Sequence, residues 1–213
     1  MKNRKIWTKE SYENYPVIVD ANRELYCDQK ILEEIKRQFD YAEKNKKRIF
    51  FMRYDIRLPV KLKAPCNNKL ICDFQANFVK NLQRHGLKPQ YLLVREQSRE
   101  KHQHYHGVLF LDGHETQCIA KHIATGERLL DSAFDLPPKE NGYGLIDDCT
   151  KSRNGEKQIN GVMLRRDDPD YETKKADCFR RASYLAKVNT KGHAPEGQRQ
   201  LFASRIQPKQ VKK

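Results

Sequence analysis

At 213 residues the chain is long enough for one sizeable domain, or for one domain with an extension. It is 38% hydrophobic and 33% charged, and its longest apolar runs span only a few residues, which excludes a membrane-spanning helix and leaves a lean core. The formal net charge of +14 points to a polyanionic partner.

The basic residues come in clusters, which favours nucleic acid over a basic surface kept for solubility. The clusters are Lys44 to Arg48, Arg53/Arg57/Lys61/Lys63, Arg165/Arg166, Lys174/Lys175, Arg180/Arg181 and the Lys209 to Lys213 tail. No basic segment carries a broad apolar face, so a membrane surface is the weaker partner. Six cysteines without a CxxC pair argue against a zinc finger. The start, Met1 to Trp7, lacks a hydrophobic signal segment, so a cytoplasmic protein with reduced cysteines is expected.

In chain order, residues 1 to 27 are polar and aromatic and suggest no role. Asp28 can cap a helix to about Lys46, with Ile31, Leu32, Ile35, Phe39 and Ala42 as its apolar stripe. Arg48 to Leu58 reads as a strand, closed by Pro59. Met52, Tyr54, Ile56 and Leu58 take one face, and Arg53, Asp55 and Arg57 the other. A helix over 71–85 follows, stopped by Gly86. Two strands come next, Tyr91 to Glu96 and His104 to Leu111, joined by a polar turn. A helix over 115–130 precedes a loop-rich stretch. There, Asn154-Gly155 signals a hairpin turn between Leu145-Ile146 and Ile159 to Arg166. A long helix is expected from about Asp170 to Lys191, stopped by Gly192. The tail beyond it, rich in Gln, Pro and Lys, is expected to be mobile. This order predicts an α+β fold with a mainly antiparallel central sheet flanked by helices.

Two constellations carry chemistry. Successive strand residues alternate faces, so His104 and His106 point the same way. If the two strands pair as a hairpin, Glu96 joins them, and a carboxylate with two imidazoles can hold a divalent ion with positions left open for substrate. His102 shares that face and competes with Glu96 as third ligand. The second constellation lies in the last helix, where Tyr184, Lys187 and Lys191 are three and four residues apart and share a face. The cations there attract a phosphate backbone and favour the phenolate over the phenol. A metal that polarises a phosphate and a tyrosine that attacks it make a coherent pair.

His104-Tyr105-His106 and Tyr184-Leu185-Ala186-Lys187 resemble the motifs of the HUH endonucleases, the rolling-circle replication initiators and relaxases. The stretches FFMRYDIRLP, VREQS…HYHGVLFLDG and RRASYLAK are similar to filamentous-phage (inovirus) gene II-type replication proteins, over about residues 48 to 191. The resemblance implies an HUH/ferredoxin-like nuclease domain over 47–192, with an N-terminal extension over 1–46 containing one helix and a basic, flexible tail over 193–213. It implies a site-specific nick in single-stranded or locally melted origin DNA through a 5′-phosphotyrosine, with Mg²⁺ or Mn²⁺ as the ion. Tyr184 would be the nucleophile and Lys187 its partner. Glu96, His104 and His106 would hold the metal, and Arg53, Arg57, Arg180, Arg181 and Lys191 would contact DNA.

One tyrosine stands in the motif, and Tyr171 is a poor second. No GxxxxGK[ST] phosphate loop is present, so strand separation would fall to a partner helicase, with a partner polymerase extending the freed end. Two rival readings remain open on the sequence: a non-catalytic nucleic-acid-binding replication or transcription regulator, and a phosphodiesterase that uses metal-activated water.

Overall fold

The computed structural model describes residues 4–58, 67–97, 103–135, 144–152, 154–189 and 196–206. The N-terminal part holds four two-residue strands: β1 (Ile6–Trp7), β2 (Ser11–Tyr12), β3 (Tyr15–Pro16) and β4 (Cys27–Asp28). β1 pairs with β4, and β2 with β3. Helix α1 (Gln29–Asn45) starts where the Asp28 carboxylate accepts the Lys30 N–H at 3.0 Å, as its capping position predicts.

The main sheet contains β5 (Arg48–Arg57), β6 (Gln90–Glu96), β7 (His104–Asp112), β8 (Ile146–Asp147), β9 (Val162–Arg165) and β10 (Leu201–Ala203). Its order is β10-β6-β7-β5-β8, with β9 also on β5, and every pairing among the described strands is antiparallel. Helices α2 (Lys69–Arg84), α3 (Ile119–Ala133) and α4 (Tyr171–Ser183) complete the fold. The expected α+β class with a mainly antiparallel sheet is what the chain adopts. No helix among the described residues is long and apolar enough to cross a membrane.

The sheet is covered on both faces, which is why its strands are buried almost throughout. On one face Ile49, Phe51, Leu92, Val94, Val108 and Phe110 pack against α1 and α4. Phe39 of α1 is the hub, with ring centroids 5.8 Å from Phe51, 4.8 Å from Phe110 and 5.4 Å from Phe179 of α4. Burying a ring of this kind stabilises by roughly 1.5–3 kcal/mol. On the other face Met52, Tyr54, Ile56, Leu93, Tyr105 and Leu109 meet Phe74 and Phe78 of α2 and Leu130 of α3. Gly107 sits directly opposite Tyr54, and a Cβ there would run into the Tyr54 ring.

Three expectations need correction. Leu145-Ile146 and Ile159 to Arg166 do not form a hairpin with each other. β8 and β9 both add to the same edge of β5, at its two ends. Among the described residues, the Asn154-Gly155 turn closes a single bridge, Lys151 to Lys157. Asn160 fills the gap between the two short strands. Its side chain accepts the Arg53 N–H at 2.8 Å and donates to the Arg53 carbonyl at 2.7 Å, replacing a strand neighbour.

The last helix stops at Ser183, and Tyr184–Ala186 forms a 3₁₀ turn instead of continuing toward Lys191. The tail is not all mobile either, because Leu201–Ala203 adds to the exposed edge of β6. That edge offers unpaired backbone groups, and a nearby extended segment satisfies them.

Candidate active site

In an antiparallel ladder, residues opposite each other point to the same face. The register therefore builds two rows across the sheet. One is Val94, His106, Asp55 and Asp147, and the next is Glu96, His104 and Arg57. They lie on the face that α1 and α4 cover, beyond its apolar half. The polar row is held at the edge of a packed core.

His106 is 6% exposed and stands between two carboxylates. Its Nε2 is 2.7 Å from Glu96 Oε2, and its Nδ1 is 2.8 Å from Asp55 Oδ1. The first contact is an aligned hydrogen bond, and the second is close but off-line. Asp55 also accepts both ends of a contact from Arg53 Nη2, at 3.0 and 2.9 Å. Burial alone would push the Asp55 carboxyl up, but the neighbouring His106 and Arg53 override it and hold it well below the usual carboxylate range. His104 is half-buried beside them, and burial followed by the His106 neighbour lowers its pKa. Among the described residues, His104 makes no hydrogen bond through its side chain.

Tyr184 reaches this cluster from the end of α4. Its ring meets the His106 ring edge-on at 5.2 Å, and the Arg53 guanidinium lies 4.2 Å from its centroid. Lys187 Nζ donates to Tyr184 Oη at 3.2 Å and also lies 3.4 Å from Glu96 Oε1. One ammonium thus joins the tyrosine to the Glu96–His106 pair.

The structure brings Glu96, His104, His106, Tyr184 and Lys187 together, from three different elements. Arg53 joins them, but as a buried platform beneath Tyr184 rather than an outer contact. Asp55 also enters the cluster, although the sequence pattern assigns it no role. Its signal is its place two residues after Arg53 on the charged face of the strand. Arg57 is at the rim, ion-paired to Asp147 at 3.2 Å, beside an open depression of about 420 Å³ that Asp148, Thr150 and Lys151 also line. Arg181 donates to Gln158 at 2.7 Å and to the Cys149 carbonyl at 2.8 Å, and Arg180 is exposed. His102 and Lys191 lie outside the described residues.

Tyr171 is removed from the site. It begins α4, thirteen residues before Tyr184, about 20 Å away at 1.5 Å per residue. Its hydroxyl donates to Glu43 of α1 at 2.5 Å, and burial with that carboxylate pushes its pKa far up.

The donor set suits a hard or borderline divalent ion: one carboxylate and two imidazoles on one sheet face, with Asp55 placed at the second ring nitrogen of His106. Among the described residues no group of three His, Cys, Asp or Glu side chains is arranged to hold a metal ion, and Glu96 and His106 contact each other directly. The residues fit such an ion in chemistry, and that contact would have to open for them to hold it.

Fold and site together define an α+β domain in which a tyrosine–lysine turn meets a carboxylate–histidine cluster on an antiparallel sheet. The chain belongs to the family described as the YagK/YfjJ C-terminal domain, which matches residues 8–133. That span includes Asp55, Glu96, His104 and His106 and ends before Tyr184. Among solved structures, the catalytic domain of the adeno-associated virus type 5 Rep protein is similar at 10% identity. It covers 61% of this chain and 96% of that chain with a TM-score of 0.32. An overlap that loose carries no statement about fold or function. No curated protein matches the chain.

Proposed function

We propose that this protein nicks and rejoins single-stranded DNA through a covalent tyrosyl phosphate on Tyr184. The observation that carries the reading is Lys187, whose ammonium touches both the Tyr184 hydroxyl and the Glu96 carboxylate. A lysine that served only as a surface charge would have no reason to bridge a half-buried phenol and a buried carboxylate–imidazole pair. The net charge of +14 supports a DNA substrate.

In this reading Tyr184 Oη attacks the scissile phosphorus and its proton is released. The bond from phosphorus to the 3′-oxygen breaks in line, and that oxygen leaves as a hydroxyl after taking up a proton. Lys187 stabilises the phenolate oxygen as it forms. Arg53 and His106 fix the ring from its face and edge, so that Oη meets the phosphate in one orientation. Asp55 holds Arg53 and abuts His106, and so links the nucleophile's platform to the metal side. Glu96, His104 and His106 would hold Mg²⁺ or Mn²⁺, which when bound would polarise the phosphate. Reversal of the attack by the 3′-hydroxyl rejoins the strand.

The finer reading is initiation of rolling-circle-type replication of a phage or other mobile element at its origin, with helicase and polymerase supplied by partners. It rests on the resemblance of the His-Tyr-His and Tyr-x-x-Lys motifs to the HUH endonucleases, and of FFMRYDIRLP, VREQS…HYHGVLFLDG and RRASYLAK to inovirus gene II-type proteins.

The test is a short origin-like single strand incubated with the protein and Mn²⁺, resolved on a denaturing gel. A protein-linked DNA species is expected, abolished in Tyr184→Phe while DNA binding is retained. An adduct that survives Tyr184→Phe would sink the assignment. Salt-sensitive binding with no adduct and no response to chelator would instead support the non-catalytic regulator. Metal-dependent cleavage without linked protein would support hydrolysis.

A further inference from the structure

The turn carrying Tyr184 and Lys187 is gripped from both ends by the N-terminal segment. Before it, Ser183 Oγ accepts the Ile18 N–H at 2.8 Å and donates to the Arg180 carbonyl at 2.7 Å. After it, Lys187 forms an antiparallel bridge with Cys27, and the Val188 N–H donates to the Tyr26 carbonyl at 3.0 Å. The Cys27 thiol lies between the two grips, 3.4 Å from the Ile18 carbonyl and 3.8 Å from that of Ser183. Ser183, Cys27, Leu185 and Ala186 are all fully buried.

This arrangement explains why the helix ends where it does. Nothing in Tyr184-Leu185-Ala186-Lys187-Val188 forbids a helix, since no proline or glycine occurs before Gly192. A serine whose hydroxyl bonds back to a carbonyl three residues earlier competes with helical hydrogen bonding. The bridge to Cys27 then takes the next backbone groups into an extended path, with Lys187 at φ −46 and ψ 127. From that bent path the Lys187 ammonium reaches both the Tyr184 hydroxyl and Glu96.

We propose that Ile18, Tyr26 and Cys27 form a clamp that sets the Tyr184–Lys187 turn over His106, with Ser183 as its positioning residue. The N-terminal segment is then part of the catalytic apparatus rather than an accessory arm. The proposal rests on the reading of Tyr184 as the nucleophile. Attack geometry is sensitive at this scale, since a displacement of about 1 Å can slow a reaction roughly 100-fold.

The experiment compares Ser183→Ala and Ser183→Thr in the full chain. The readouts are the single-turnover rate of adduct formation at saturating oligonucleotide with Mn²⁺, the oligonucleotide Kd, and amide hydrogen exchange. Ser183→Ala is expected to slow adduct formation about tenfold or more, with Kd unchanged within about twofold. Ser183→Thr, which keeps the hydroxyl, is expected to restore most of the rate. An alanine variant as fast as wild type overturns the clamp. So does a loss of rate matched by an equal loss of DNA affinity, or a threonine variant as slow as alanine. If wild-type protein forms no adduct, the nicking reading fails, and the clamp is judged by exchange alone. Ser183→Ala should then release the Val188 amide together with that of Ile18 while α1 stays protected, and a Val188 amide that keeps its protection overturns it.

Discussion

Replacing Asp55 with Asn tests the site at its centre. Asp55 is 6% exposed, and its carboxylate takes two contacts from the buried Arg53 guanidinium and lies 2.8 Å from His106 Nδ1. Asn keeps the shape but removes the charge, so Arg53 is left buried without its counter-ion. Breaking such a pair from one side costs about 3–5 kcal/mol. For a chain of this size that lowers Tm by roughly 6–20 °C. The pH dependence gives the sign independently. The folded carboxyl is held below its unfolded value, so its contribution is complete above that value and is lost as pH falls through the folded one. Wild type should therefore lose stability below about pH 4 along a slope that Asp55→Asn lacks. Urea denaturation from pH 2 to 7 measures both effects. The double variant Arg53→Met/Asp55→Asn should be more stable than Asp55→Asn alone, because no orphan charge remains. If nicking is the activity, Asp55→Asn should also weaken the Mn²⁺ response about 10–100-fold. A single variant within about 1 kcal/mol of wild type, far short of the cost of an orphaned buried charge, with an unchanged acid slope, would refute the argument.

Three other perturbations probe the packing and the buried polar groups of the fold. Asn160→Ala leaves the Arg53 N–H and carbonyl without their side-chain partner, at an expected cost of about 1–3 kcal/mol in urea denaturation. Asn160→Asp should not rescue it, since a carboxylate cannot donate to the Arg53 carbonyl. Gly107→Ala drives a methyl into the buried Tyr54 ring and should destabilise by about 1–3 kcal/mol or more, with Tyr54→Leu as a partial suppressor in the same thermal melts. His122 is 3% exposed, bonded to Thr116, and its pKa is lowered to about 4 by burial and by Lys121 and His85. The unfolded chain takes up this proton first, so stability should fall as pH drops from about 6.5 to about 4. After allowance for screening the loss is roughly 2–3 kcal/mol, and it should be absent in His122→Gln.

Local pattern made much of this molecule legible. A period of two is geometric, so alternation along residues 48–58, 91–96 and 104–111 places Arg53, Asp55, Glu96, His104 and His106 on defined faces whichever strands pair. The hairpin between β6 and β7 then followed from proximity along the chain, and it set Glu96 opposite His104. The capping Asp28 and the apolar stripe of α1 were equally local signals.

What depended on partners distant in sequence could not be read from pattern. Which strand lies beside β7 is decided by global packing, and only the placement of β5 there puts Asp55 against His106 and Arg53 beneath Tyr184. The Asn-Gly turn marked a reversal correctly, but the backbone groups of β8 and β9 found a better partner in the long edge of β5. Leu201–Ala203 lies in a tail otherwise rich in Gln, Pro and Lys and still forms a strand, because β6 leaves an edge to be satisfied. The helix through Tyr184 shows the same limit. Its residues favour continued helix, and contacts from Ile18, Tyr26 and Cys27, more than 150 residues earlier, turn it aside. The sequence by itself determined which side chains could carry chemistry and the face each would take. The tertiary structure alone decided which of them meet, because periodicity is a property of neighbours along the chain and a site is a property of neighbours in space.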